Sequence, residues 1–177
     1  STPKPSSAAS DVYKRQMFEI VPMEKKDALM ISRWKYEGEY EMYSFEETQE
    51  LLEELTDGSY FACHHRENGL VGYFCFGASA RIPVSEEERQ VYQKQMLDIG
   101  LGMDPQLCGR GKGAEFMRAG LAFADHRFHT DAFRLTVASF NKRAIRLYEK
   151  AGFVKTARVS HRVSKMAFDI MEYTVSE

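Results

Sequence analysis

Residues 96–128 contain a strand, a glycine-rich loop and a helix in direct succession, and this arrangement restricts the fold more than any other part of the chain. The segment MLDIGLGM predicts a strand over 96–103, and KGAEFMRAGLAFADHRF predicts a helix over 112–128. The loop between them alternates glycine with basic residues: Gly109, Arg110, Gly111, Lys112 and Gly113. Glycine lets a backbone turn sharply and approach a ligand, and a helix start exposes unpaired N–H groups with partial positive charge. The three parts together predict an anion-binding site with a phosphate as its natural ligand.

Two well-known phosphate loops can be compared with this segment. The nucleoside triphosphate loop G-x-x-x-x-G-K-[ST] is excluded because Lys112 is followed by Gly113 instead of Ser or Thr. The dinucleotide fingerprint G-x-G-x-x-G/A fits as Gly109-x-Gly111-x-x-Ala114. That fingerprint belongs at the first strand-to-helix turn of a repeating βαβ unit, whereas a hairpin precedes the loop here. A dinucleotide site is therefore the weaker interpretation.

The rest of the chain predicts one mixed α/β domain with the element order β-α-α-β-β-β-α-β-α-β-β. The pair Asn68-Gly69 between two β-rich runs predicts a hairpin over 59–77. Ser44 followed by Glu47 is a capping-box pattern, which predicts a helix over 44–55. The other predicted elements are a strand at 18–23, a helix at 24–36, a loop at 37–43, a polar loop or short helix at 78–94, a strand at 132–139, a helix at 141–151 and two final strands.

Composition excludes several classes of partner. The chain has 177 residues, about one domain, and a formal net charge of −2, so it has no general attraction to nucleic acid or to an anionic membrane. No apolar run reaches the roughly 18 residues of a membrane span. Three cysteines without CxxC spacing indicate reduced thiols of a cytoplasmic protein rather than a disulfide framework.

Residues 1–16 differ in character from the rest. STPKPSSAAS is of low complexity, and DVYKRQ, when back-translated, resembles an adaptor used in transposon-based sequencing libraries. We therefore predict that this leader is non-native and assign the domain to residues 17–177. A natural flexible tail is the alternative, because any segment of this composition would stay unfolded.

Two glycines lie inside the strand that precedes the loop. Gly100 and Gly102 weaken a strand, so their presence predicts a bulge or a close approach of the backbone to a ligand. The alternative is a bulky neighbouring side chain that leaves no room for a Cβ atom.

The segments LGMDPQLCGRGKGAEFM and LTVASFNKRAIRLYEKAGFVKT together resemble the GNAT superfamily of acyl-CoA-dependent N-acyltransferases. Family members have a strand, a loop of the form R/Q-x-x-G-x-G/A, a helix, a second strand ending near an Asn, and a helix with a Tyr before a closing GF. The loop can be aligned as Gln106-x-x-Gly109-x-Gly111 or as Cys108-x-x-Gly111-x-Gly113. We favour the second alignment because Gly113 then directly precedes the helix. The resemblance implies a twisted mixed sheet, splayed between its fourth and fifth strands, with helices on both faces.

The resemblance also implies an activity: transfer of an acetyl group from acetyl-CoA to a primary amine, by direct attack in a ternary complex. Acetyl-CoA would lie between the strands at 96–103 and 132–139 and would act as a co-substrate. The resemblance implies no metal. A non-catalytic acyl-CoA-binding or regulatory domain of the same fold is the alternative. The implied cofactor contacts are the backbone of Leu101, Gly102 and Met103, the loop residues Gly109, Arg110, Gly111, Lys112, Gly113 and Ala114, and Asn141.

By the same resemblance, Tyr148 is the candidate general acid for the departing thiolate. Asn141 and Tyr148 are seven residues apart, or about 700° along an α-helix, so both lie on one face. The alternatives are an N-cap role for Asn141 and an ordinary half-buried core position for Tyr148.

The candidate general base is less clear. Some relatives carry a Glu five residues before the Asn, and that position here is Thr136, which cannot act as a base. Asp98, a carboxylate in a core strand, is the next candidate base. It could equally be a structural partner for Arg134.

The acceptor is predicted from the segment EGEYEMY at 37–43, which is acidic and aromatic. It suggests a cationic amine, either a small molecule or a peptide, bound by Glu39 and by aromatic walls. Those walls would be Trp34, Tyr36, Tyr40 and Tyr43. The alternative is a helix–helix connection with partly buried aromatics. His126 and His129 lack a third ligand, so we expect no metal site there. The oligomeric state is left as monomer or homodimer.

Overall fold

A computed structural model describes residues 17–175, so the leader at 1–16 lies outside the described residues. Contacts divide the chain into two compact units. Among the described residues, the first unit comprises 17–74 together with Leu101–Gly120. The second unit comprises Cys75–Gly100 and residues 121–175.

Within residues 17–175 the chain forms seven strands and four α-helices, in the predicted order. The strands are β1 (Phe18–Pro22), β2 (Tyr60–His65), β3 (Gly69–Phe76), β4 (Leu97–Met103), β5 (Ala132–Ala138), β6 (Val154–Ser160) and β7 (Ala167–Thr174). The α-helices are α1 (Lys25–Ser32), α2 (Gln49–Leu55), α3 (Gly113–Phe128) and α4 (Lys142–Ala151). Short 3-10 helices cover Gly38–Tyr43, Gly77–Ala80 and Glu86–Tyr92.

The strands follow the order β1-β2-β3-β4-β5-β7-β6 in a mixed sheet. β4 is parallel to β5, whereas β5–β7, β6–β7 and β1–β2 are antiparallel pairs. The predicted mixed α/β fold is therefore confirmed, and the parallel pair consists of the fourth and fifth strands, between which a splay was predicted.

In the first unit, a hairpin supplies the central strands. β2 and β3 are joined by three residues, and Gly69 has φ +72°, which suits glycine at the end of a turn. The predicted Asn68-Gly69 hairpin is thus confirmed. Fully buried side chains of this unit come from both helices and strands: Ile31, Leu55, Cys63, Phe74, Phe116 and Met117.

In the second unit, the whole length of β5 pairs with β7, from the Ala132–Thr174 pair to the Ala138–Phe168 pair. The other edge of β7 pairs with β6, with an irregularity between Lys155 and Ala157. Buried apolar side chains of β5 and β7 form the centre of this unit, and they are Phe133, Leu135, Val137, Phe168, Ile170 and Met171.

The predicted capping box at Ser44 is wrong. The helix begins at Gln49, and the Thr48 hydroxyl caps it by accepting a hydrogen bond from the Leu51 amide at 3.1 Å. Ser44 Oγ instead accepts from the Tyr36 amide at 2.8 Å, and Glu47 pairs with Arg33 at 3.0 Å. Tertiary partners occupy both side chains, so neither is available to start a helix.

None of the helices described within residues 17–175 has the length and hydropathy that crossing a membrane requires.

Candidate active site

The glycine loop of the first unit is exposed and shaped by two glycines. Gly109 and Gly111 both have φ +75°, a region that side-chain-bearing residues rarely adopt. The Arg110 and Lys112 side chains are exposed beside them. This geometry follows from the sequence, because glycine is the one residue that enters the region without steric cost.

The loop leads directly into α3, whose first residue is Gly113. Lys112 precedes the helix, and its carbonyl accepts from the Phe116 amide at 3.3 Å. A lysine side chain carries no oxygen that could cap the helix. The amides of the first turn also lack partners within the helix, so they are placed to bind an anion.

The end of β4 in this unit explains one of the two strand glycines. A Cβ atom at Gly102 would overlap the Tyr73 ring, so a bulky neighbour accounts for that glycine. Beyond it, the Met103 carbonyl accepts from the Tyr36 hydroxyl at 2.5 Å and from Cys108 Sγ at 3.6 Å. Burial, followed by the nearby Cys108 and Asp104, holds the pKa of Tyr36 well above its usual value, so its hydroxyl remains a donor.

The anchoring of Met103 by Tyr36 is not predictable from the sequence. The two residues are 67 positions apart, and no local pattern connects them. Tyr36 therefore holds the end of β4 in place, and its role as a wall of an acceptor site stays a prediction.

The other predicted acceptor residues belong to an aromatic cluster of the first unit. The Trp34 ring stacks with the Tyr73 ring, with their centroids 6.5 Å apart, and the Tyr40 ring stacks with the Tyr43 ring, with their centroids 6.4 Å apart. These rings are half-buried, whereas Glu39 is exposed. The packing matches the alternative of a connection with partly buried aromatics, and a role in acceptor binding stays a prediction.

In the second unit, Asp98 lies in a buried ion-pair cluster. Its Oδ1 accepts from Arg134 Nε at 2.7 Å, and its Oδ2 accepts from Arg134 Nη2 at 2.8 Å. Arg81 Nε donates to the same Oδ2 at 2.8 Å. Asp98 is 1% exposed and Arg134 is 0% exposed, so the pair is fully desolvated. This arrangement favours the structural alternative for Asp98, since both of its oxygens already accept from guanidinium groups.

Tyr92 completes this cluster. The guanidinium carbons of Arg81 and Arg134 each lie over its ring, 5.2 Å from the ring centroid. Its hydroxyl is 2.8 Å from Thr136 Oγ1 on β5. Tyr92 lies in the segment predicted as a polar loop or short helix, and no role was predicted for it because Arg81, Arg134 and Thr136 lie more than ten residues away in the chain.

The paired part of β4 and β5 is short in this unit. It covers Leu97 with Phe133 and Asp98 with Arg134, and within the second unit it does not extend to Ile99 or Gly100. This limited pairing is consistent with the predicted splay between the two strands. A Cβ atom at Gly100 would lie 2.7 Å from Cys75 Sγ, so a neighbouring side chain accounts for this glycine as well.

Asn141 and Tyr148 are both carried by α4. Asn141 Oδ1 accepts from the Ala144 amide at 3.1 Å, which confirms the N-cap role. Tyr148 is 8% exposed, and its ring meets Phe153 edge-on at 6.3 Å. The helix ends at Gly152, which has φ +111°. Local signals thus position the candidate acid on a well-defined helix.

The model of the Acetyltransferase (GNAT) family matches residues 26–153, which is more than half of the chain. The chain belongs to the GNAT acetyltransferase family. This confirms the resemblance drawn from the glycine loop and from the Asn–Tyr–GF segment. No curated protein sequence matches it.

Solved structures share the GNAT fold with this chain. A chimera of the spermidine N-acetyltransferase SpeG from Vibrio cholerae with hSSAT has 19% identity and a TM-score of 0.66, over 89% of this chain and 95% of that one. A GNAT-family acetyltransferase from Bacillus anthracis has 15% identity and a TM-score of 0.66, over 89% and 95%. The spermidine/spermine N-acetyltransferase SpeG from V. cholerae, in complex with manganese ions, has 18% identity and a TM-score of 0.63, over 91% and 94%.

One feature of this GNAT chain was not predicted. A cavity of about 390 Å³ in the second unit is lined by three arginines, Arg81, Arg89 and Arg162. Arg162 comes from the β6–β7 connection, which a hydrogen bond from its amide to the Pro83 carbonyl at 2.8 Å ties to the segment after β3. Because this contact joins residues 79 positions apart in the sequence numbering, only the folded chain reveals the cluster.

Proposed function

We propose that this protein is an N-acetyltransferase that moves an acetyl group from acetyl-CoA to a primary amine by direct attack in a ternary complex. The observation that carries the proposal is the exposed glycine loop before α3. The Lys112 side chain cannot cap the first turn of this helix, so the amides of that turn remain available to an anion. Membership in the GNAT family supports the same chemistry.

The diphosphate of acetyl-CoA would bind to amides of the loop and of the first turn of α3. Gly109, Gly111, Gly113 and Ala114 leave the backbone accessible, and the exposed Arg110 and Lys112 would add positive charge. The backbone of Leu101, Gly102 and Met103 would hold the pantetheine and the acetyl carbonyl. The hydrogen bond from Tyr36 to Met103 would keep this strand end in place.

In the proposed reaction, the nitrogen of an unprotonated amine attacks the thioester carbonyl and the carbon–sulfur bond breaks. Backbone N–H groups stabilise the negative charge that develops on the carbonyl oxygen. Tyr148 gives its proton to the departing thiolate, and the proton lost by the nitrogen passes to water, from which the Tyr148 phenolate is reprotonated. Asn141 caps the helix that positions Tyr148.

We do not propose Asp98 as the general base, because Arg134 and Arg81 occupy its two oxygens. Trp34, Tyr40 and Glu39 remain candidate contacts of the acceptor. The names of the structural neighbours in V. cholerae give spermidine as their substrate, which supports an amine acceptor in general. The proposed reaction is compatible with either oligomeric state, a monomer or a homodimer.

Three free cysteines support the proposed cytoplasmic location. Cys63 and Cys75 are buried, and none of the three forms a disulfide. Burial raises the pKa of Cys63 to about 12, so its thiol stays protonated and unreactive near neutral pH.

A non-catalytic acyl-CoA-binding domain is the competing function, and acceptor-dependent release of free thiol from acetyl-CoA decides between them. We expect release that depends on the added amine. Tight acetyl-CoA binding with no acceptor-dependent release from a broad panel of amines and peptides would instead support the binding domain.

We predict that Gly113→Pro weakens acetyl-CoA binding by about tenfold or more without lowering thermal stability. Proline at the first position of a helix fits its backbone but has no N–H group. Loss of one hydrogen bond to a charged diphosphate costs roughly 1.5–3 kcal/mol. Titration calorimetry with acetyl-CoA measures the effect.

Gly113→Ala is the matched control, since it changes the same residue of α3 and keeps the N–H group. It should bind acetyl-CoA nearly as well as the unmodified chain. Equal weakening by both substitutions would mean that the amide of residue 113 does not contact the diphosphate.

A further inference from the structure

The arginine cavity of the second unit has the composition of an anion-binding site. Besides Arg81, Arg89 and Arg162, its lining contains Tyr92, Gln93 and the apolar residues 82–84. No carboxylate belongs to this lining. Arg81 pairs with Asp98 behind the lining, so the counter-charge missing from the roughly 390 Å³ of open space is that of Arg89 and Arg162.

Two of these arginines have unused donors. Across residues 17–175, the guanidinium groups of Arg89 and Arg162 neither donate a hydrogen bond nor pair with a carboxylate. The nearest acid in sequence, Glu88, accepts instead from the Ser160 amide at 3.2 Å. A guanidinium offers five donors in a planar fork that matches a carboxylate or a phosphate.

The third arginine is anchored by an ion pair and a ring contact. Arg81 donates through Nε to Asp98 and lies over the Tyr92 ring, while the Tyr92 hydroxyl contacts Thr136. One edge of the Arg81 guanidinium is thereby fixed, and its terminal nitrogens remain for a ligand. A donor that is already fixed loses less conformational entropy when the site binds an anion.

The cavity is linked to the parallel strands of the second unit, one of which leads to the helix that carries Tyr148. Its walls are joined to Asp98 of β4 through Arg81 and to Thr136 of β5 through Tyr92. Asp98 and Arg134 are the last paired residues of these two strands within the second unit. β5 then continues to Asn141 and to the helix that carries Tyr148.

We infer that this cavity binds a carboxylate or phosphate group of the acceptor, so that the substrate is an amine that also carries an anionic group. The inference rests on the proposed acetyl transfer. An anionic acceptor would distinguish this protein from an enzyme for polyamines, which carry only cationic groups and would be repelled by the charges of Arg89 and Arg162.

The first test compares acceptors that differ only in the anionic group. Ethanolamine phosphate is compared with ethanolamine, and an ω-amino acid with the diamine of equal length, by thiol release from acetyl-CoA. We expect kcat/KM to be at least about tenfold higher for the anionic member of each pair. Preference for the diamine, or equal rates within each pair, would overturn the inference.

The second test removes the guanidinium groups. Arg89→Gln and Arg162→Gln change exposed side chains, and each should raise KM for the anionic acceptor by about tenfold to a hundredfold, with a small change in kcat. Arg66→Gln, an exposed arginine of the first unit, is the matched control and should change neither parameter. Unchanged KM in the Arg89→Gln, Arg162→Gln double variant would overturn the inference.

A binding measurement separates this inference from the proposed function. Inorganic phosphate is titrated into the protein saturated with CoA, which keeps phosphate away from the glycine loop. Binding that the double variant abolishes and Arg66→Gln preserves supports the anion site. If that result came with no thiol release from any amine, the acetyl transfer would be wrong and the anion site would stand. Equal phosphate binding by all variants would overturn the anion site itself.

Discussion

Tyr148→Phe is expected to lower kcat for acetyl transfer by roughly 100-fold or more and to leave the Kd of acetyl-CoA within about twofold. The substitution removes one hydroxyl and keeps the ring that packs against Phe153 at 6.3 Å. Without the phenol, the thiolate has to leave without a positioned proton donor. Steady-state thiol release gives kcat, and calorimetry gives the affinity.

Tyr173→Phe is the matched control, because it removes a hydroxyl from another tyrosine of the second unit whose ring also packs against Phe153. It should leave kcat nearly unchanged. If Tyr148→Phe reduced affinity and turnover to the same extent, Tyr148 would be a binding residue. A role as general acid would then be wrong.

Asp98→Ala is expected to lower the free energy of unfolding by about 3–5 kcal/mol, because it leaves the Arg134 guanidinium buried without its counter-charge. Equilibrium unfolding in urea measures this loss. The exposed pair between Arg33 and Glu47 provides the comparison, and Glu47→Ala should cost at most about 1 kcal/mol.

A double replacement tests whether the Asp98 effect is structural. Asp98→Leu combined with Arg134→Met removes both charges from the interior, and apolar replacement of a buried ion pair is often neutral in stability. We expect the double variant to recover most of the lost stability. If Asp98→Ala instead folded with unchanged stability and lost only turnover, Asp98 would act as a base after all.

The features predicted correctly from sequence are those in which the interacting residues lie within a few positions of one another. Asn141 caps the helix that begins at the next residue, and Gly69 ends a tight hairpin. Gly109 and Gly111 adopt positive φ in the loop before α3. Each depends on backbone geometry over one turn, which the local residue types determine.

Local patterns failed where a distant partner competed for the same side chain. Ser44 and Glu47 match a capping box, but Tyr36 and Arg33 engage them instead, so the helix begins at Gln49. A hydrogen bond to a residue elsewhere in the fold can exceed the gain from one local cap, and the order of residues does not reveal such a partner.

The sequence by itself determined the family, the order of the elements, the glycine loop and the helix that carries Tyr148. Only the tertiary structure decided that Asp98 pairs with Arg134 and Arg81, that Tyr36 anchors Met103, and that Arg89 and Arg162 share a cavity. The physical reason is range: backbone conformation and capping depend on neighbours in the chain, whereas the fate of a buried charge depends on side chains that folding brings together.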